Sequence, residues 1–261
     1  MNYSRMSVSE RRTLPPAVAV STVAFALQPP EGAATDPAAH RDAASGTTSV
    51  TLWLPLVRRT REPFAGQWAL PGGPIPFDEA LADTSLRTLR AAVGCSPGYL
   101  EQLYSFGEVG RSAQAQRLVT IAYWALYGEG ELPGAEGEAR GDSSGVSDPN
   151  VAWFSADRLP PLAFDHVRIV AHALDRLRSK TEYSTVAYRF LGDTFTLAQL
   201  RGVYEAVRGE TVDPANFRRQ ALAQGHLIDT GLQTSGDRHR PAKLYRFRAA
   251  EPGTVEARST R

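Results

Sequence analysis

Residues 68–95, WALPGGPIPFDEALADTSLRTLRAAVGC, constrain the fold of this chain more than any other stretch. Trp68-Ala69-Leu70 runs into Pro71-Gly72-Gly73-Pro74, a run of glycine and proline that reads as a turn. Beyond the turn Ala82, Leu86, Leu89 and Val93 recur at i, i+4, i+7 and i+11, one apolar stripe on a helix predicted from about Phe77 to Val93. A helix apolar on one side only must lie on a core.

The material for that core flanks the segment. Ala17 to Leu27 (AVAVSTVAFAL), Ser49 to Arg58 (SVTLWLPLVR), Leu100 to Val109, Arg117 to Tyr127 (RLVTIAYWALY) and Val151 to Phe154 read as strands. Asp165, a plausible N-cap, opens a helix to about Lys180 with Val167, Val170, Ala171, Leu174 and Leu177 on one face. Residues 29–48 (PPEGAATDPAAHRDAASGTT) are too poor in large apolar groups to pack, and Gly128 to Asn150 is rich in Gly, Glu and Ser; both read as mobile.

The chain has 261 residues, 42% hydrophobic and 22% charged, enough for a domain of ~150 residues plus a smaller one. Cys95 is the only cysteine, so no intrachain disulfide can form. Met1 to Pro16 is polar, and no run approaches the ~20 apolar residues that span a bilayer, so a cytoplasmic protein without membrane contact is expected. The expected division is a tail over 1–16, a domain over 17–181, a second domain over 182–250 and a tail over 251–261.

The net charge of +1 conceals an uneven distribution. From Tyr183 to Ala250 ten basic residues face six acidic ones, a net +4, which leaves −3 for the remainder. Attraction for a polyanion therefore belongs to the C-terminal quarter. There Thr196-x-x-Gln199 is a capping-box pattern before a helix of about Leu197 to Arg208, and Gly209 turns the chain. Asp213 and Pro214 start a second helix that should stop at Gly225. Leu227 to Leu232 and Leu244 to Arg248 flank the basic loop QTSGDRHRPAK as a hairpin. Helix, turn, helix and basic hairpin in that order describe a winged helix-turn-helix.

The segment GGPIPFDEALADTSLRTLRAAVGC resembles the Nudix box, G-x5-E-x7-R-E-U-x-E-E-x-G-U with U apolar. Five residues separate Gly73 from Glu79 and seven separate Glu79 from Arg87, while Leu89 and Gly94 are in register. The resemblance implies an α/β chain: an α+β Nudix-type α/β/α sandwich with a C-terminal winged helix. It also implies that Glu79 and Arg87 join loop to helix. The acid set is missing, because Thr88, Ala91 and Ala92 occupy the three carboxylate positions, and Arg90 beside them adds positive charge where a cation would sit. Mg²⁺ is a hard ion that needs anionic oxygen, and two methyls and a hydroxyl supply none. A pseudo-enzyme with no catalytic residue, no bound metal and no cofactor is expected.

A degenerate Nudix domain joined to a winged helix resembles the NrtR family, Nudix-related transcriptional regulators of NAD metabolism. The resemblance implies a homodimeric repressor on a palindromic DNA operator, controlled by an NAD-related nucleotide such as ADP-ribose. Independently, Asn216, Arg219 and Gln220 project from the second helix of the winged unit with Arg218 at its edge, and Asn and Arg suit adenine and guanine edges. Arg238, His239, Arg240 and Lys243 in the hairpin suit phosphate or minor-groove contact. For the effector, Arg58, Arg59 and Arg61 are candidates for the diphosphate, and Trp68 and Phe106 for base stacking. Two rivals stand beside this reading: a Mg²⁺-dependent pyrophosphatase acting on ADP-ribose or dinucleotides with Asp78, Asp83 and Glu108 recruited, and a module whose winged helix binds a protein.

Overall fold

A computed structural model describes residues 14–35, 51–112, 117–132, 148–183, 185–234 and 241–248. Nearly all of both expected tails, and Arg238, His239 and Arg240, lie outside these residues.

Four strands form one sheet in the order β4 (Gly72–Pro74), β1 (Ala17–Phe25), β6 (Leu118–Leu126), β5 (Tyr99–Phe106). β1 and β6 are parallel, with Ala17 opposite Leu118 and Phe25 opposite Leu126, and the outer strands are antiparallel to them. A second, antiparallel sheet has the order β3 (Trp68–Ala69), β2 (Trp53–Arg58), β7 (Val151–Ser155). Ala26 and Trp53 join the sheets by two reciprocal backbone hydrogen bonds of 2.8 and 2.9 Å.

The alternation of side chains along a strand assigns the two faces. Val23 and Phe25 of β1, with Trp124 and Leu126 of β6, share a core with helix α2 (His166–Tyr183). Ala24 and Ala26, with Ala125 and Tyr127, face helix α1 (Leu81–Val93). The bulky residues therefore fill the α2 side, while alanines on the other let α1 approach the sheet. This is an α/β/α sandwich.

Both helices are rotated from the sequence expectation. α1 begins at Leu81, leaving Phe77 fully exposed, and turns Thr84, Ser85, Leu89 and Val93 inward while Ala82 is exposed. A buried hydroxyl pair, Thr22 to Ser85 at 2.6 Å, satisfies the polar groups this rotation brings inside. α2 buries His166, Ile169, Val170, Ala173 and Leu177, and leaves Val167 and Ala171 exposed. Its rotation is set by His166, whose Nδ1 accepts a bond from the Leu70 amide at 3.0 Å.

Three further stretches carry more structure than expected. Gly72–Pro74, read as a turn, pairs with β1, and a Cβ at Gly72 would stand 2.2 Å from the Val20 carbonyl oxygen, so only glycine fits. The first residues of 29–48 join β7, since the Trp153 amide donates to the Ala34 carbonyl at 2.8 Å. The start of 128–150 is a capped turn in which Glu131 accepts from the Gly98 and Gly128 amides at 3.0 and 2.8 Å.

After a 3-10 turn over Thr185–Phe190 come α3 (Leu197–Arg208), α4 (Pro214–Ala223) and the antiparallel pair β8 (Leu227–Gln233) and β9 (Lys243–Phe247). The capping box forms: the Thr196 hydroxyl accepts from the Gln199 amide at 3.2 Å, and the Gln199 side chain accepts from the Thr196 amide at 2.8 Å. Tyr188, Phe195, Leu200, Phe217, Ala221 and Tyr245 make a small core of their own. Val186, Ala187 and Phe190, with Val203, Ala206 and Val207 of α3, instead pack into the large core of the sandwich. The C-terminal unit is thus seated on the sandwich by apolar contact.

Candidate functional site

In the Nudix-box segment Arg87 donates through Nε to Glu79 Oε1 at 2.7 Å, and Thr84 donates to Glu79 Oε2 at 2.8 Å. These bonds hold the Glu79 carboxyl below its usual range, the Arg87 bond contributing most. The loop before α1 is thereby tied to the helix.

On the helical face where the family's acids would stand, the Thr88 hydroxyl donates to the Ser85 carbonyl at 2.9 Å. Ala91 is exposed, and Ala92 packs against the cluster of Leu89, Val93, Tyr127 and Trp153. The Arg90 guanidinium reaches past the helix end to the Ser96 hydroxyl at 2.6 Å. Of the acids that might substitute, Glu108 pairs with Arg168 at 2.6 Å. Among the described residues no three His, Cys, Asp or Glu side chains are gathered to hold a metal. The donors on this face do not fit Mg²⁺.

The candidate effector residues divide between the two sheets. Arg58 and Trp68 are paired across β2 and β3, and Arg59 and Arg61 lie in the turn beyond. Part of each guanidinium is used by this turn: Arg58 Nε donates to the Gly66 carbonyl at 3.1 Å, Arg59 Nε to the Pro63 carbonyl at 2.9 Å and Arg59 Nη2 to the Arg61 carbonyl at 3.3 Å. Arg59 also lies 4.7 Å above the Phe164 ring. Phe64 and Phe164, both with positive φ (67° and 56°), hold each other by a ring contact at 4.8 Å beneath it. Trp68 is half-buried and edge-on to Phe154 at 5.1 Å, and Phe106 is buried at the end of β5 against Tyr104 and His172. Phe106 belongs to the main core and Trp68 packs against it while remaining partly exposed.

Where the turn after β5 meets the start of α2 lies a cluster that the sequence pattern does not reveal. Arg111, its side chain only 2% exposed, donates through Nε to both oxygens of Asp165 at 2.7 Å and through Nη1 to the Phe106 carbonyl at 2.7 Å. Its Nη2 is buried with no hydrogen-bond partner among the described residues. Beside it, burial holds the His166 imidazole down at about 4, only partly opposed by Asp165. Asp165, read as an N-cap, thus has its carboxylate committed to Arg111 from the far end of β5. Nothing in the local pattern of residues 107–112 signals that partner, 54 positions away.

The His166 shift has a stability consequence of definite sign. As pH falls below about 6.5 the unfolded chain takes up the proton first, while the folded imidazole stays neutral until about 4. Stability contributed by this group is present above pH 6.5 and is lost as pH falls toward 4. Urea unfolding should show a loss of about 2 kcal/mol between pH 7 and pH 5 that is absent in His166→Gln. Parallel pH profiles for the two proteins would contradict a neutral buried imidazole.

In the C-terminal unit Asp213 caps α4 through the Asn216 amide at 2.7 Å, and Pro214 occupies its first turn. Phe217 and Ala221 face inward, so Asn216, Arg218, Arg219 and Gln220 are all exposed on the outer side. Arg219 Nη2 donates to Asn216 Oδ1 at 2.6 Å, which orders the two side chains as a pair. Lys243 lies on β9 and pairs with Asp229 of β8 at 2.8 Å, so its charge is partly compensated.

The profile of the NrtR DNA-binding winged helix domain matches residues 187–247. The structure of Shewanella oneidensis NrtR complexed with a 27mer DNA is 32% identical, with TM-score 0.67, and the match covers 88% of this chain and 93% of that one. A MutT/nudix family protein of Enterococcus faecalis is 25% identical with TM-score 0.61, covering 94% of this chain and 96% of that one. An ADPR responsive transcriptional repressor of Acinetobacter baylyi, NtrR, is 29% identical over 204 residues, 75% of this chain and 76% of the relative. Nudix sandwich and winged helix are joined in this chain as in the Shewanella protein, and the chain belongs to the NrtR family.

Proposed function

We propose that this protein is a DNA-binding transcriptional repressor of NAD-metabolism genes whose Nudix-type unit, 17–181, binds an NAD-related nucleotide such as ADP-ribose without cleaving it. The winged unit, 182–250, reads a palindromic operator as part of a cytoplasmic homodimer, and the nucleotide releases it. The observation that carries this reading is the helical face of Thr88, Ala91 and Ala92, which keeps the Glu79–Arg87 tie of the scaffold but offers a metal no carboxylate. The exposed Asn216–Arg219 pair and the capped helix beneath it support the DNA half.

The test is a gel shift with the promoter of the protein's own gene and those of NAD-biosynthesis genes, with and without ADP-ribose. Retardation relieved by micromolar to millimolar ADP-ribose is expected, with no product formed in Mg²⁺. Turnover abolished by EDTA would overturn the non-enzymatic assignment, and failure to select any duplex from a random pool would favour a protein-binding winged helix.

Arg219→Ala should weaken operator binding about tenfold or more, the effect of losing a base-edge contact of ~1–3 kcal/mol, and should do so with loss of sequence preference. Competition between operator and scrambled duplex measures both. Unchanged affinity and preference would remove Arg219 from base readout.

A further inference from the structure

From α4 onward the winged unit is cationic with a single exception. Among the described residues of 214–248, Arg218, Arg219, Lys243, Arg246 and Arg248 are cations, and Asp229 is the one carboxylate. All six are exposed.

That carboxylate sits on the cation nearest the outer side of α4. Asp229 Oδ2 accepts from Lys243 Nζ at 2.8 Å across the hairpin, and Oδ1 accepts from the Gly231 amide at 3.0 Å. The Gly231 bond lies in the irregular stretch of β8 between Asp229 and Gln233, where Gly231 has a φ of 75°, so the strand itself fixes the carboxylate. The Asp229 bond in turn raises the Lys243 ammonium above its ordinary range, and the Arg218 guanidinium of α4 opposes that rise. Lys243 is therefore within electrostatic reach of the helix that exposes Asn216 and Arg219.

An exposed pair of this kind adds little to the stability of a fold. Its larger effect is on what Lys243 can do. To neutralise a phosphate the ammonium must leave Asp229, and the carboxylate then remains beside the phosphate as a like charge. Ion pair and phosphate contact thus compete for one cation. A phosphate contact carries no sequence information, so this competition weakens binding to every duplex by the same factor and leaves the base preference of α4 untouched.

We propose that Asp229 is a positioning residue that restrains DNA binding: it holds Lys243 within the hairpin and so limits the grip of the winged unit on the phosphate backbone, whatever the sequence. The inference rests on the DNA-binding reading above and deepens it, giving base choice to Arg219 and strength of grip to the Asp229–Lys243 pair.

The test is fluorescence anisotropy with the full-length protein on its own promoter duplex and on a scrambled duplex, between about 50 and 200 mM salt. Asp229→Asn keeps an oxygen for the Gly231 amide and loses the charge. It should tighten both duplexes by the same factor, about three- to fivefold at the low-salt end, and steepen the fall of log K with log salt by up to about 0.9. Lys243→Met should cost about threefold more in the Asp229→Asn protein than in the parent, because only there is the ammonium free for a phosphate. Unchanged affinity and slope in Asp229→Asn would overturn the proposal, and so would weaker binding, which would make Asp229 a support of the wing. A gain confined to one duplex, or equal costs of Lys243→Met in the two backgrounds, would also overturn it, since the two charges would then act independently of each other or of the phosphates. A parent protein that binds neither duplex would instead overturn the repressor reading, and the proposal with it, so the two failures are told apart.

Discussion

Phe217→Ala should eliminate operator binding by unfolding the winged unit rather than by removing a DNA contact. Phe217 is buried in the cluster of Tyr188, Phe195, Leu200, Ala221 and Tyr245, and its ring meets Tyr204 at 5.3 Å. Truncating such a residue costs roughly 3–5 kcal/mol through lost burial and the cavity left behind. A core this small has little margin, since whole domains are stable by only about 5–15 kcal/mol. Because α3 also packs into the sandwich core through Val203, Ala206 and Val207, a separate first unfolding step is expected in circular dichroism, followed by the sandwich at a lowered midpoint, while protease cuts α4 and the gel shift disappears. A single unfolding transition at the parental midpoint would show that Phe217 carries no such load. Arg219→Ala, by contrast, should leave the melting profile unchanged, which separates loss of contact from loss of fold.

Arg111→Met should destabilise the sandwich by roughly 3–5 kcal/mol, the cost of leaving one partner of a buried ion pair uncompensated. The Arg111 side chain is 2% exposed and that of Asp165 15%, and Arg111 also satisfies the Phe106 carbonyl. Arg111→Met/Asp165→Asn should recover part of the loss, because the stranded carboxylate is then gone. The Glu108–Arg168 pair is the internal control: its side chains are 65% and 55% exposed, and its removal should hardly move the urea midpoint. A small effect for Arg111→Met, matching the control, would mean that water reaches Asp165. The two ion pairs are neighbours in the fold and similar in length, 2.7 and 2.6 Å, so burial and the added Phe106 bond separate the expected outcomes.

Elements whose cause is local were readable in advance. The Thr196 capping box, the Asp213 cap with Pro214 behind it, and the apolar strands β1 and β6 each depend on residues a few positions apart, and each forms. The rotation of the two sandwich helices was misread for the converse reason. Apolar spacing in α1 and α2 favoured Ala82 and Val167, yet the fold turned Ser85 and His166 inward because Thr22 and the Leu70 amide were waiting there. Counting hydrophobic residues cannot register a buried polar group whose partner comes from another element.

For the candidate site the division is the same. The absence of carboxylates at 88, 91 and 92 is a property of composition and spacing on one helix, so sequence alone was sufficient to state it. The Asn216 and Arg219 positions follow from helical periodicity once the cap is known. No local rule could have brought Arg111 to Asp165 across 54 residues, or the His166 ring to Leu70 across 96. Spacing along a chain governs which side chains share a face, whereas desolvation and the meeting of distant charges exist only after the elements have packed.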